Sequence, residues 1–115
     1  MKVKIKCAVF SIAMLAITSC GESIKPQDEP NNKLALEEIR KEPKVKEAII
    51  TDANVLYVAV EDDGTNRNGY ASYICTLLKE KKATTNWVKI VKVNSTNDPK
   101  ADNAYGVLLG QSHCN

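Results

Sequence analysis

One histidine, four cysteines and a short acidic run are the groups in this 115-residue chain able to do chemistry. His113 directly follows Ser112, and a general base beside a hydroxyl is the start of a nucleophilic pair. Neighbours on a strand point to opposite faces, however, and no third group that would orient the imidazole is identifiable. A surface histidine at a chain end is the competing account. Glu61, Asp62 and Asp63 open the segment EDDGTNRN (61–68), whose carboxylate and carbonyl oxygens suit a hard cation such as Ca2+. With Asp62 taken first, Arg67 stands where the loop pattern D-x-[DN]-x-[DN]-G needs glycine, so turn formation and helix capping are the alternative role. Adjacent carboxylates set no particular separation between their carboxyl groups, so they define no glycosidase pair. His113 and Cys114 lack a second histidine for a metal set. The reading holds no catalytic residue, no metal ligand and no cofactor. Tyr73 and Trp87 are the aromatic candidates for a binding surface, because such residues favour interfaces; packing is their other role.

The N-terminal 20 residues carry a different chemistry. Lys2, Lys4 and Lys6 precede the apolar run CAVFSIAMLAI (7–17), and Ile17-Thr18-Ser19-Cys20 closes it. Eleven apolar residues are too few to span a bilayer, which needs roughly 20, and they fit the core of a secretory signal. Charge, apolar length, small residues and cysteine in this order resemble a bacterial lipoprotein signal with its lipobox, with Thr-Ser where Ala-Gly is commoner. The resemblance covers residues 1–20. It implies a signal peptide over 1–19, a diacylglycerol on the Cys20 thiol and palmitate-type acylation of the new amino terminus. Two or three buried chains would anchor the chain firmly, since each CH2 contributes ~0.8 kcal/mol. The implied address is the cell envelope, with membrane contact through the Cys20 lipid. Gly21 rather than Asp after the cysteine favours the outer over the inner membrane. A cleavable secretory signal with an incidental cysteine is the rival reading.

That resemblance changes the accounting for the rest. The chain has 16 basic and 14 acidic residues, and removing the three leader lysines leaves 13 against 14. A near-neutral domain argues against nucleic acid as a partner, which wants a clustered basic face; Lys79, Lys81, Lys82, Lys89 and Lys92 could form a modest basic patch, with solvated lysines on a helix end and a strand as the competing account. With Cys7 removed and Cys20 lipidated, Cys75 and Cys114 remain as a single pair in a compartment where disulfides persist. A bridge between them would pin an end of the chain that otherwise frays.

The elements that position these groups follow from periodicity. Residues 20–32 (CGESIKPQDEPNN) are polar and without apolar pattern, so they read as the lipidated cysteine and a flexible tether. A domain is expected over 33–115. KLALEEIRK (33–41) reads as a helix capped by Asn31 or Asn32 and ended before Pro43. VKEAIIT (45–51) and VLYVAVE (55–61) are read as a hairpin turning at Asp52-Ala53-Asn54, the second strand apolar enough to be central; the first alternates less cleanly, and a helix is its other reading. In 70–82, Ala71, Ile74, Cys75 and Leu78 fall on one helical face. WVKIVKVN (87–94) and AYGVLLG (104–110) read as further strands, with Gly106 and Gly110 marking a bend or a close backbone approach.

The order αββαββ gives an α+β fold: one small domain with a mainly antiparallel four-stranded sheet and two helices. Glu42-Pro43-Lys44-Val45 before a strand pair, then a helix and a closing strand, make this order similar to BON-type periplasmic domains. The glycines those domains place around their second strand are missing. The likeness implies membrane or partner binding. The function expected is therefore a non-catalytic, lipid-anchored envelope protein that binds a periplasmic or surface protein of inhibitor, immunity, exclusion or assembly type. The alternative is an envelope enzyme or metal-dependent accessory factor built on loop 61–68.

Overall fold

Val58 and Val60 on one side of a strand, with Tyr57 and Ala59 on the other, are all buried, which makes this strand the middle of a sheet. The computed structural model describes residues 24–95 and 105–115. Its elements are α1 (Pro30–Arg40), β1 (Glu47–Ile50), β2 (Leu56–Val60), α2 (Asn68–Glu80), β3 (Trp87–Lys92) and β4 (Leu108–His113), preceded by a 3-10 turn at Pro26–Asp28. The sheet order is β1-β2-β3-β4. β1 with β2 and β3 with β4 are antiparallel, while β2 and β3 are parallel, with α2 as the crossover between them. This is the α+β fold of two helices and a mainly antiparallel four-stranded sheet.

Both helices bury their stripes on one sheet face. Ala35, Leu36 and Ile39 of α1 and Ala71, Ile74 and Leu78 of α2 meet Ala48, Ile50, Leu56, Val58, Val60, Val88 and Ile90. The period of 3.6 on the helices and of 2 on the strands delivers these residues to one layer. Burying a side chain of this size contributes about 1.5–3 kcal/mol. Asp52 and Ala53 turn the β1–β2 hairpin as expected, and Asn54 supplies the left-handed position at φ 63°, a conformation asparagine tolerates.

Two expectations need correction. The tether read over 20–32 includes residues that are folded onto the domain: the 3-10 turn and the first turn of α1. The helix starts at Pro30, a favourable first position because its missing N–H is not needed there. Its cap is Glu29, whose carboxylate accepts from Asn32 N at 2.8 Å, rather than Asn31 or Asn32. Composition concealed this because the stabilising side chain is a buried amide. Asn32 is fully buried; it donates to Pro26 O at 2.9 Å and Thr84 Oγ1 at 3.0 Å, and accepts from Thr84 N at 2.8 Å. Thr85 Oγ1 donates to Asn54 Oδ1 at 2.6 Å beside it. One amide thus ties together the 3-10 turn, α1, the β1–β2 turn and the α2–β3 loop. Asn32→Ala should lower stability by about 2 kcal/mol, because it strands buried backbone partners. Urea denaturation measures this, and a change below about 0.5 kcal/mol, the ordinary surface range, would refute the amide's role.

The second correction concerns the last strand. It was expected over 104–110 and lies at Leu108–His113. The apolar run AYGVLLG suggested pairing, but Tyr105 and Gly106 form a turn, with Gly106 at φ 145°. The polar residues Gln111, Ser112 and His113 carry the ladder instead, opposite Lys89, Val88 and Trp87.

Candidate functional site

The face of the sheet away from the helices displays residues that the sequence scatters. β1, β2, β3 and β4 contribute one cross-strand row, Ile49–Tyr57–Lys89–Gln111, set by the registers Ile49↔Tyr57, Tyr57↔Lys89 and Lys89↔Gln111. Beside it stands the pair Trp87↔His113. The two rings stack, with centroids 4.5 Å apart and planes 26° apart. The Lys89 ammonium lies 4.6 Å from the Trp87 ring centroid and 5.7 Å from that of Tyr57, both within cation–π range. Trp87 Nε1 donates to Gln111 Oε1 at 3.1 Å. Tyr105 adds its ring 4.7 Å from Tyr57. Beneath these, Tyr57, Ala59 and Val91 form a small apolar floor.

This surface continues into a groove of about 670 Å3 around the β1–β2 turn. Ile49, Val55, Tyr57 and Tyr105 line it on the sheet side, and Leu36 and Arg40 on the α1 side. The two edges of the sheet differ. At β4 the edge is closed by the start of α2: Arg67 N donates to Leu109 O at 3.1 Å, and Gln111 N donates to Asn68 Oδ1 at 2.9 Å. At β1 the Arg40 guanidinium donates to Ala48 O at 2.8 Å, covering one edge carbonyl. A guanidinium over an edge strand is a familiar guard against unwanted strand pairing.

The groups singled out for chemistry do not come together. The Ser72 hydroxyl of α2 donates to Ser112 Oγ at 3.1 Å, while His113 stacks on Trp87 on the other face. The alternation that separates strand neighbours therefore keeps hydroxyl and imidazole apart. The acids of loop 61–68 act on their own backbone. Asp62 accepts from Gly64 N at 2.9 Å, Asp63 from Thr65 N at 3.0 Å and Thr65 Oγ1 at 2.5 Å, and Asn66 from Asn68 N at 2.7 Å. The Thr65 hydroxyl and amide hold the Asp63 carboxyl below its usual pKa, with Arg67 adding to this. Arg67 itself is buried, donating to Glu61 O at 2.8 Å with Asp63 Oδ2 at 3.4 Å. No group of three or more His, Cys, Asp or Glu side chains suited to a metal occurs among the described residues.

Cys75 and Cys114 do meet. Their sulfurs stand 2.05 Å apart at disulfide distance, and their Cα atoms are 5.3 Å apart, inside the range a bridge requires. Tyr73 and Trp87 do not share a surface. Tyr73 is on α2, 5.9 Å from the Tyr70 ring, and burial followed by the Glu42 carboxylate pushes its hydroxyl pKa up. Burial likewise raises the pKa of Tyr70, with Glu42 again adding. On α1, the Lys41 ammonium bonded to Glu38 at 3.1 Å holds that carboxyl pKa down. Sequence reasoning missed Tyr57, Lys89, Tyr105 and Gln111 as members of one surface. The signal for Lys89 was visible as alternation in WVKIVK, but its row partners depend on strand register. Cys20 and the leader lie outside the described residues. No helix among the described residues is long and apolar enough to cross a membrane. Comparison with known families, curated proteins and solved structures finds no match.

Proposed function

We propose that this chain is a lipid-anchored bacterial cell-envelope protein that acts by binding another protein, without catalysis of its own. The lipobox at Cys20 supports the anchor, and the absence of Asp after it favours the outer membrane. The observation that carries the binding role is the aromatic–lysine surface of Trp87, His113, Lys89 and Tyr105, laid over the buried Tyr57, on the sheet face away from the helices. Rings fixed by mutual stacking lose little entropy on docking, and Trp and Tyr are the side chains that dominate interface energetics. The Lys89 ammonium, seated between two rings, would receive a carboxylate of the partner. An envelope enzyme or metal-dependent factor built on loop 61–68 has less support, because Asp62 and Asp63 already satisfy local backbone donors.

A photo-crosslinking residue at Gln111 should give one discrete adduct in living cells, and the same group at Glu37 on α1 should give none. Lys89→Glu should weaken capture by about 30-fold, the effect of a 2 kcal/mol interface anchor, while circular dichroism stays unchanged. Equal adducts from Gln111 and Glu37, or full capture by the Lys89→Glu protein, would remove the sheet face from the mechanism.

A further inference from the structure

We infer that the anchored domain stands on the membrane in one orientation, with the pole formed by residues 24–28, the β1–β2 turn and the α2–β3 loop facing the bilayer. The inference rests on lipidation of Cys20. It follows from where the folded chain begins. Tertiary contacts hold the backbone from Pro26 onward: Gln27 Nε2 donates to Asp52 Oδ1 at 2.9 Å, Asn32 Nδ2 to Pro26 O at 2.9 Å, and Asn31 Nδ2 to Lys82 O at 3.2 Å. Only six residue steps separate Cys20 from Pro26, a reach of at most about 22 Å even when fully extended. A tether running to residue 32, as the polar composition suggests, would reach about twice as far. Ile24, within that short link, is 66% exposed, an aliphatic side chain placed where it can enter the lipid interface.

The fold converts this short link into an axis. α1 starts at the near pole and ends at Arg40; α2 starts at Asn68 and returns to the near pole at Glu80. β1 and β4 run toward that pole, and β2 and β3 start there. The 13 residues of α2 lift loop 61–67 by about 20 Å above it. The sheet face with Tyr57, Lys89 and Gln111 then stands roughly along the membrane normal, open to a partner approaching from the side. Charge does not set this orientation, because the near pole mixes Lys25, Lys33, Lys81 and Lys82 with Asp28, Glu29 and Asp52. The bilayer therefore needs no anionic lipid, and phosphatidylcholine vesicles suffice as the probe.

In the processed chain, with Cys75 bonded to Cys114 and Cys20 acylated, an introduced cysteine is the one free thiol. Ala53→Cys marks the near pole and Asp62→Cys the far pole; both sites are exposed. Each purified lipoprotein, donor-labelled there, is reconstituted into phosphatidylcholine vesicles carrying a headgroup acceptor. Energy transfer should be about twofold or more stronger from position 53 than from position 62, given the short link and the length of α2. Inserting about 20 Gly-Ser residues after Glu22 should erase the contrast, since such a linker spans about 25 Å. Equal transfer from both positions with the native link would overturn the orientation. Mass spectrometry of the N-terminal peptide separates the two claims. Acylated Cys20 with equal transfer defeats the orientation alone, whereas an unmodified Cys20 defeats the anchor on which it rests.

Discussion

Gly110→Ala should be the most damaging single-methyl change in the domain, costing about 3 kcal/mol or more as an overpacking defect at a backbone contact. A Cβ at this position would lie 2.3 Å from Arg67 C, 2.5 Å from Asn68 N and 2.8 Å from Arg67 Cα. These are main-chain atoms, so no rotamer change relieves the clash. Nor can the start of α2 simply step back. It is held to β4 by Arg67 N on Leu109 O and by Gln111 N on Asn68 Oδ1, and the Arg67 guanidinium is bonded to Glu61 O. Moving it breaks these bonds and leaves a buried cation without its acceptor. A loss of this size consumes much of the stability of a small domain, which is typically 5–15 kcal/mol. Gly69→Ala is the control, because nothing lies within 4 Å of its would-be Cβ. That substitution should raise stability by about 0.5 kcal/mol through the reduced freedom of the unfolded chain. Paired urea titrations of the two variants measure both effects. A Gly110→Ala protein as stable as its parent would show that β4 and α2 are not packed as described.

Removing the bridge is the second large effect. Cys75 and Cys114 are 39 residues apart in sequence, and closing a loop of that length stabilises by about 4 kcal/mol in the chain-entropy model, with measured values often lower. The double replacement Cys75→Ser/Cys114→Ser should therefore lower the midpoint of urea unfolding substantially while the fold persists. Persistence is expected because α2 and β4 keep their other links, including Ser72 to Ser112 at 3.1 Å. The local consequence is at the end of β4, where Cys114 N donates to Asn86 O at 2.7 Å. Hydrogen exchange at Cys114 should quicken more than at Gly110 in the reduced or substituted protein. Non-reducing peptide mapping should recover Cys75 and Cys114 in one linked species. Two freely alkylatable thiols in envelope material would end this account.

Much of the architecture was legible in the residue pattern because it depends on local periodicity. The stripe Ala71–Ile74–Cys75–Leu78 needs only 3.6 residues per turn, and the apolar run LYVAV needs only a strand buried on both sides. The hairpin turn was visible in Asp52-Ala53-Asn54 for the same reason. The cysteine pair followed from the lipobox resemblance and from counting. The start of the folded region was not legible, because PQDEPNN is polar and its order comes from partners 22 to 53 residues away that satisfy the Asn32 amide. The last strand was misplaced because Gln111, Ser112 and His113 have no apolar signature. Their place in the ladder is decided by β3 on one side and by Arg67 and Asn68 on the other.

The sequence by itself determined the element types, the shared core face and the separation of Ser112 from His113. Each is a matter of neighbours within a few residues. The aromatic–lysine surface was decided by tertiary structure alone. Tyr57, Trp87, Lys89, Tyr105 and Gln111 come from three strands and a turn, and only the registers Tyr57↔Lys89 and Lys89↔Gln111 bring them side by side. A one-residue slip in either pairing would turn that row toward the helices. Register is fixed by burying Val58, Val88 and Ile90 under α1 and α2, so the surface that faces outward is set by the packing of the face that does not.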